Sequence, residues 1–240
     1  MHKNYAILNT YENAKGNMMI KTIIFDMDGT ILNTIDDIAI AVNVALKEKN
    51  LPSKSVDEVK LAVGNGAKKL IERITPIGSS EALKHEVFTI YQTYYNAHSQ
   101  DFTGPYKGII GLLSELKKQG YKLATVSNKY HHLVQELNKN VFQGLFDCTI
   151  GETHGIPIKP APDMVYLALK EMDSTKEETL FIGDSDVDID TARNAGMKSV
   201  GVTWGFRTKD VLLKHQATYI IDHPEELYVI LKEENQHEHD

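Results

Sequence analysis

The chain has 240 residues, 42% hydrophobic and 25% charged, a balance that supports a buried core in one large domain or two modest ones. A formal net charge of -7, with no Lys/Arg stripe interleaved with aromatics, argues against nucleic acid as a main partner. No run approaches the ~18 uninterrupted apolar residues of a membrane span, and the opening His2-Lys3-Asn4-Tyr5 lacks a signal-peptide core, so a cytoplasmic protein without a membrane partner is expected.

Residues 1–18 are polar, show no clear periodicity and are read as an N-terminal extension without a catalytic role. Translation starting at Met18 or Met19 is one expectation for it. The β-branched run Met19-Ile20-Lys21-Thr22-Ile23-Ile24 predicts a buried strand, and it ends in Phe25-Asp26-Met27-Asp28-Gly29-Thr30. Two carboxylates and a glycine turn thus stand at a strand end, where open α/β sheets place their chemistry. An ordinary Asp/Gly turn is the plainer alternative.

After Thr34 the spacing becomes helical, with Ile35, Ile38, Ala39, Val42, Ala45 and Leu46 on one face. Pro52 closes that region. Further helices are predicted over 55–62, 67–74 and 80–97, so 35–103 reads as an inserted helical unit. Gly104-Pro105 marks the return to the core, which comprises 19–34 and 104–240. Strands and helices then alternate: a helix over 109–119, a strand over 122–126, and a helix from about Tyr130. A strand near Cys148, a helix after Pro162, a strand over 179–182, a helix from about Asp188 and strands over 198–202 and 218–221 follow. This is a doubly wound α/β pattern with a mostly parallel sheet. Cys148, the single cysteine, excludes an intramolecular disulfide and reads as a small buried hydrophobe. The terminal run from Glu233 to Asp240 reads as a solvated tail.

Four polar clusters fall at the ends of predicted strands: Asp26/Asp28, Ser127-Asn128, Lys159, and Gly183-Asp184-Ser185-Asp186-Val187-Asp188. Singly they could be helix caps, a surface lysine and acids complementing a helix dipole. Jointly they supply what phosphate-ester cleavage needs. Asp26 can attack phosphorus, splitting one displacement into two. Asp28 can protonate the leaving alkoxide and later deprotonate water. Carboxylates from Asp26 and Asp184 can hold a Mg2+ that offsets their repulsion of a phosphate dianion, while Ser127, Asn128 and Lys159 donate to its other oxygens.

In these residues, Asp26-Met27-Asp28-Gly29-Thr30, Val126-Ser127-Asn128, Lys159-Pro160-Ala161-Pro162-Asp163 and Gly183 to Asp188, the chain resembles the haloacid dehalogenase superfamily of aspartate-nucleophile phosphatases. The resemblance implies a Rossmann-like core with a helical cap, nucleophile Asp26 and acid/base Asp28. It implies Mg2+ held by Asp26, the backbone carbonyl of Asp28, and Asp184, with Asp188 as a further ligand or an orienter of metal-bound water. Gly29 and Thr30 turn the chain toward the cap beside the phosphate. Asp186 and Asp190 read as structural helix-start acids.

The insertion resembles the four-helix cap of the subgroup that includes phosphoglycolate phosphatase, most closely over Val63 to Arg73. There the Gly64-Asn65-Gly66 loop would face a small anionic substrate, with Lys68 or Arg73 assisting. Thr203-Trp204-Gly205-Phe206-Arg207 and the stretch from Ile221 to Leu227 also resemble this subgroup, Trp204 bordering the pocket or packing the core. Asn33, where relatives more often carry an acid, is a departure at the cap hinge.

Dehalogenation is disfavoured because a leaving halide needs no proton from Asp28. The expected partner is a small phosphorylated metabolite. The rival enzyme readings are an inorganic pyrophosphatase and a sugar phosphomutase; the rival of another class is a non-catalytic phospholigand-binding protein. Monomer or homodimer is left open.

Overall fold

The computed structural model describes residues 19–236, so the N-terminal extension and the histidines of the terminal run lie outside the described residues. Strand β1 (Thr22–Phe25) is buried along its whole length, as a central parallel strand covered on both faces must be. It begins later than the sequence run, because Ile20 gives its N–H to Asn235 Oδ1 rather than to a neighbouring strand.

The chain then makes a short strand β2 (Leu32–Asn33) and four helices, α1 (Ile35–Glu48), α2 (Val56–Ala62), α3 (Gly66–Ile74) and α4 (Glu81–His98). It returns through β3 (Gly104–Pro105) to α5 (Ile109–Lys118), β4 (Lys122–Tyr130), α6 (His131–Asn140), β5 (Cys148–Glu152) and α7 (Asp163–Glu171). The last part holds β6 (Thr179–Gly183), α8 (Asp186–Ala195), β7 (Lys198–Val202), α9 (Lys209–Lys214), β8 (Tyr219–Ile221) and, after a 3-10 turn, α10 (Leu227–Gln236).

Six strands pair in the order β5-β4-β1-β6-β7-β8, all parallel. The chain winds outward from β1 in both directions, so the topological switch point lies between β1 and β6. Alternation along β1 splits the core. Ile23 and Phe25 face a cluster with Leu113 and Leu116 of α5 and Ile230 and Leu231 of α10, whereas Ile24 faces Met164 and Ala168 of α7 and Ala192 of α8. The mostly parallel doubly wound sheet expected from the sequence is present, and Cys148 is buried in β5.

The four helices build their own cluster from Ile38, Val42, Ala45 and Leu46 of α1, Leu70 and Ile74 of α3, and Val87 and Tyr91 of α4. The predicted apolar face of α1 is the buried one. Ser55 accepts from Glu58 N while Glu58 accepts from Ser55 N, which caps α2 reciprocally. Further boundaries also differ from the sequence reading. Strand β4 does not stop at Val126 but runs through a register shift to Tyr130, which pairs with Glu152, and α8 opens at Asp186 rather than Asp188. No helix among the described residues is long and apolar enough to cross a membrane.

Departure and return of the chain are tied together. Leu32 pairs with Pro105 and Asn33 with Gly104, antiparallel. Beside this ribbon Asp37, buried in the first turn of α1, accepts from Phe102 N (3.0 Å), Thr103 N (2.9 Å) and Thr103 Oγ1 (2.7 Å). Removing that carboxylate strands three donors at the crossing. Asp37→Ala is expected to cost about 2–4 kcal/mol of unfolding free energy in urea titrations; a loss within experimental error would show that the crossing does not depend on this clamp.

Candidate active site

The parallel strands deliver their C-terminal ends to one edge of the sheet, and at the switch point that edge carries acids. Asp26 follows β1, Asp184 follows β6, and Asp188 lies in the first turn of α8. All three are buried, and one carboxylate oxygen from each lies within 4.8 Å of the others. Lys159, from the loop before α7, is also buried, and its Nζ donates to Asp26 Oδ1 at 2.6 Å and to Asp188 Oδ1 at 2.7 Å. The other oxygen of Asp188 accepts from Ser185 N and Ser185 Oγ, so this acid also caps α8.

Asp184 has a different environment. Its Oδ1 accepts from Thr30 Oγ1 at 3.1 Å and its Oδ2 from Phe206 N at 2.6 Å, and it has no cationic partner among the described residues. The chain packs so tightly around it that only glycine fits twice. A Cβ at Gly29, where φ is +88°, would stand 2.5 Å from Asp184 Oδ2, and one at Gly205 would stand 2.2 Å from Asp184 Cβ.

Three carboxylates share one ammonium here, and the protonation equilibria reflect it. Burial, and then the charge of Asp188, raise Asp26 to about 7 even though Lys159 pulls the other way. Burial together with Asp188 and Asp26 pushes Asp184 well above the usual carboxylate range. Burial alone would lower Lys159, but Asp188 and Asp26 outweigh it and hold the ammonium above the ordinary lysine range. An all-oxygen donor set with uncompensated negative charge fits a hard divalent cation, with Asp26, Asp184 and Asp188 as the side chains that would hold it.

The other predicted residues divide into those facing a cavity of about 70 Å3 and those that do not. Asp26, Asp28, Gly64, Gly66, Ser127, Asn128, Lys159, Asp184 and Asp188 all line it. Ser127 Oγ accepts from Lys129 N and keeps its own proton to donate. Asn128 was expected to donate to phosphate, but its side-chain amide is committed elsewhere. Nδ2 donates to the carbonyls of Lys159 (2.9 Å) and Gly64 (3.0 Å), and Oδ1 accepts from Lys159 N. It therefore seats the lysine loop and ties it to the Gly64 loop.

Thr30 lies behind Asp184 and is fully buried. Asn65 and Arg73 bond each other, Arg73 also donating to Ala62 O, and neither lines the cavity; nor does exposed Lys68. Trp204 packs against the sheet core and donates Nε1 to Thr30 O, so it steadies the first motif from outside the cavity. Asp186 pairs with Arg207, and Asp190 with Arg193 and His215, as the structural reading of these acids expects.

Lys129, Tyr95 and Arg207 line the cavity without having been singled out in the sequence. Lys129 Nζ, almost wholly buried, donates to Asp28 Oδ1 (2.8 Å) and Oδ2 (3.1 Å) and to Tyr95 Oη (2.7 Å). Its only sequence signal is its place immediately after Ser127-Asn128. Tyr95 is hidden among the aromatics of α4. Arg207 donates to Lys60 O (2.8 Å) and Val63 O (2.6 Å), closing the C-terminal end of α2 against the sheet side.

The sequence pattern of the family described as haloacid dehalogenase-like hydrolase matches residues 23–202. A phosphoglycolate phosphatase of Aquifex aeolicus is 33% identical over 193 residues, covering 78% of this chain and 86% of the relative. The pyrophosphatase PpaX of Bacillus mycoides is 29% identical, covering 91% of this chain and all of its own. A crystal structure from Lactobacillus delbrueckii subsp. bulgaricus, described as a candidate phosphoglycolate phosphatase, superposes with a TM-score of 0.85 at 36% identity, covering 89% of this chain and 99% of that one.

The charge imbalance has a pH signature. Asp26 binds its proton up to about pH 7 in the folded, metal-free chain but only to about pH 4 when unfolded, so folding takes up a proton between these values. Its stabilising contribution is present at low pH and is lost as pH rises through 7. A divalent cation takes the ionised form. The gain in unfolding temperature on replacing EDTA by Mg2+ is therefore expected to be larger at about pH 8 than at about pH 5.5; equal gains at both would contradict this account of the cluster.

Proposed function

The chain belongs to the haloacid dehalogenase-like hydrolases, and from that premise we propose that it is a Mg2+-dependent phosphatase of small phosphorylated metabolites, like the phosphoglycolate phosphatases it resembles. The observation that carries the reading is the placement of Asp26. It directly follows the central strand, is gripped through one oxygen by buried Lys159, and faces the cavity with Asp28 two residues on.

Asp26 attacks phosphorus through its carboxylate, forming an acyl phosphate while the bond from phosphorus to the leaving oxygen breaks. Asp28 delivers a proton to that oxygen. In the second half Asp28 takes a proton from water, the water oxygen bonds to phosphorus, and the bond between phosphorus and Asp26 breaks, releasing phosphate. Ser127 Oγ and Lys159 Nζ donate to the phosphoryl oxygens, supplying positive and dipolar complement where charge gathers. Asp26, Asp184 and the backbone carbonyl of Asp28, with Asp188 alongside, would hold Mg2+, which would supply the positive charge that lets a dianionic ester approach this acidic pocket.

Residues 19–34 and 104–240 form the catalytic core in this reading, and 35–103 the cap that closes over the substrate. The two crossings at β2 and β3 support that division. Hydrolysis of inorganic pyrophosphate is the second reading, supported by the similarity to the Bacillus mycoides pyrophosphatase. The same groups serve it, with a second phosphate as leaving group.

The test is phosphate release from phosphoglycolate, pyrophosphate, sugar phosphates and nucleotides, with Mg2+ and with EDTA. Mg2+-dependent release from at least one small ester is expected, and Asp26→Asn should reduce it roughly a thousandfold or more. Wild-type rates in Asp26→Asn would refute the assigned nucleophile. Ligand binding without turnover by the wild-type protein would favour a non-catalytic role.

A further inference from the structure

Three of the cavity-lining described residues carry cations, and each already has partners. Lys159 is shared by Asp26 and Asp188, and Arg207 is spent on backbone carbonyls and Asp186. The third, Lys129, stands beside Asp28, which in the reading above handles the leaving group's proton. That placement poses a difficulty. Both carboxylate oxygens of Asp28 accept from Lys129 Nζ, so the acid is turned to the lysine and not to a substrate oxygen.

The surroundings indicate what releases it. Lys129 is buried, and Tyr95 of α4 grips its Nζ from the other side, by a hydrogen bond of 2.7 Å and a ring whose centroid is 4.9 Å away. Around this pair the wall is apolar or aromatic, with Ile38, Leu70, Tyr91 and Leu133. The cation that a negatively charged group meets at this end of the cavity is Lys129, whose Nζ gives its hydrogen bonds to Asp28 and Tyr95 and can take a new anion only in exchange for Asp28.

We propose that Lys129 is the specificity-determining residue for the leaving group. It takes a carboxylate or second phosphate carried by the leaving group, and by exchanging Asp28 for that anion it releases Asp28 toward the scissile oxygen. This rests on the phosphatase reading and deepens it. The substrate class is then a small phosphate ester or anhydride whose leaving group bears an anion close to the bridging oxygen. Tyr95 holds Nζ in place through the exchange. A neutral leaving group of the same size leaves Lys129 on Asp28 and turns over slowly. The exchange itself makes and breaks only hydrogen bonds; the freed Asp28 carboxylate then takes from water the proton that it delivers to the leaving oxygen, and the covalent steps are those already described.

A matched pair tests this: phosphoglycolate and its neutral amide, phosphoglycolamide, compared by kcat/KM with saturating Mg2+. The wild-type protein should favour the anionic ester by roughly ten- to a hundredfold, the worth of one charged hydrogen bond. Lys129→Met should bring that ratio close to one, Lys129→Gln should do the same, and Lys129→Arg should keep part of the preference. Wild-type protein that uses the pair equally, or a Lys129→Met or Lys129→Gln protein that keeps the wild-type ratio, overturns the assignment while leaving the phosphatase reading intact. Two neutral replacements of different polarity keep the test open where one of them does not fold. Failure of the wild-type protein to release phosphate from any small ester or anhydride defeats the phosphatase reading itself, and this assignment with it.

Discussion

Three buried carboxylates facing a single buried ammonium is the constraint around which the molecule is arranged. Asp26, Asp184 and Asp188 bring their oxygens within 4.8 Å of one another, and among the described residues the one ammonium bonded to them is that of Lys159, between Asp26 and Asp188. Removing one member of a buried ion pair typically costs several kcal/mol, because the partner is left charged and dry. The surrounding residues hold the cluster together against this repulsion. Asn128 seats the lysine loop by two hydrogen bonds, Ser185 anchors Asp188, and Thr30 and Phe206 hold Asp184. Glycines at 29 and 205 let the backbone close onto Asp184 with no room for a side chain.

The same constraint explains how the helical unit is joined to the sheet. The crossing at β2 directly follows the first motif and pairs with the one at β3, so both lie close to Asp28, which bridges to Leu32. Three polar links run between the parts near the cavity: Lys129 to Tyr95, Asn128 to Gly64, and Arg207 to the end of α2. Each joins the charged edge of the sheet to the helices facing it. The cavity is therefore walled by acids and lysines on the sheet side and by aromatic and apolar groups on the helix side.

Most of this arrangement was legible in the sequence because its signals are local and periodic. The apolar stripe of α1, the Gly104-Pro105 return and the acids following apolar runs translate directly into α1, β3 and the edge bearing Asp26 and Asp184. What was not legible depends on contacts distant in the chain. The extension of β4 to Tyr130 requires a partner at Glu152, and the start of β1 is set by Asn235. Asn128 reads as a phosphate donor until the Lys159 and Gly64 carbonyls that occupy its amide are placed beside it. Lys129 draws no reading of its own until Asp28 and Tyr95 converge on it from 101 and 34 residues away. Of Arg73 and Lys68, which the cap loop made attractive, the first bonds Ala62 O and Asn65 and the second is exposed, and neither lines the cavity.

The central claim is that the acid ending β1 becomes covalently phosphorylated within this cluster. Borohydride reduction of the protein quenched during turnover converts an aspartyl phosphate to homoserine, which peptide mass spectrometry locates. Homoserine at position 26, formed only with substrate and Mg2+ and absent from Asp26→Asn, is the predicted result. Phosphate release with an unmodified Asp26 in the quenched protein, or reduction at another acid, would contradict the account.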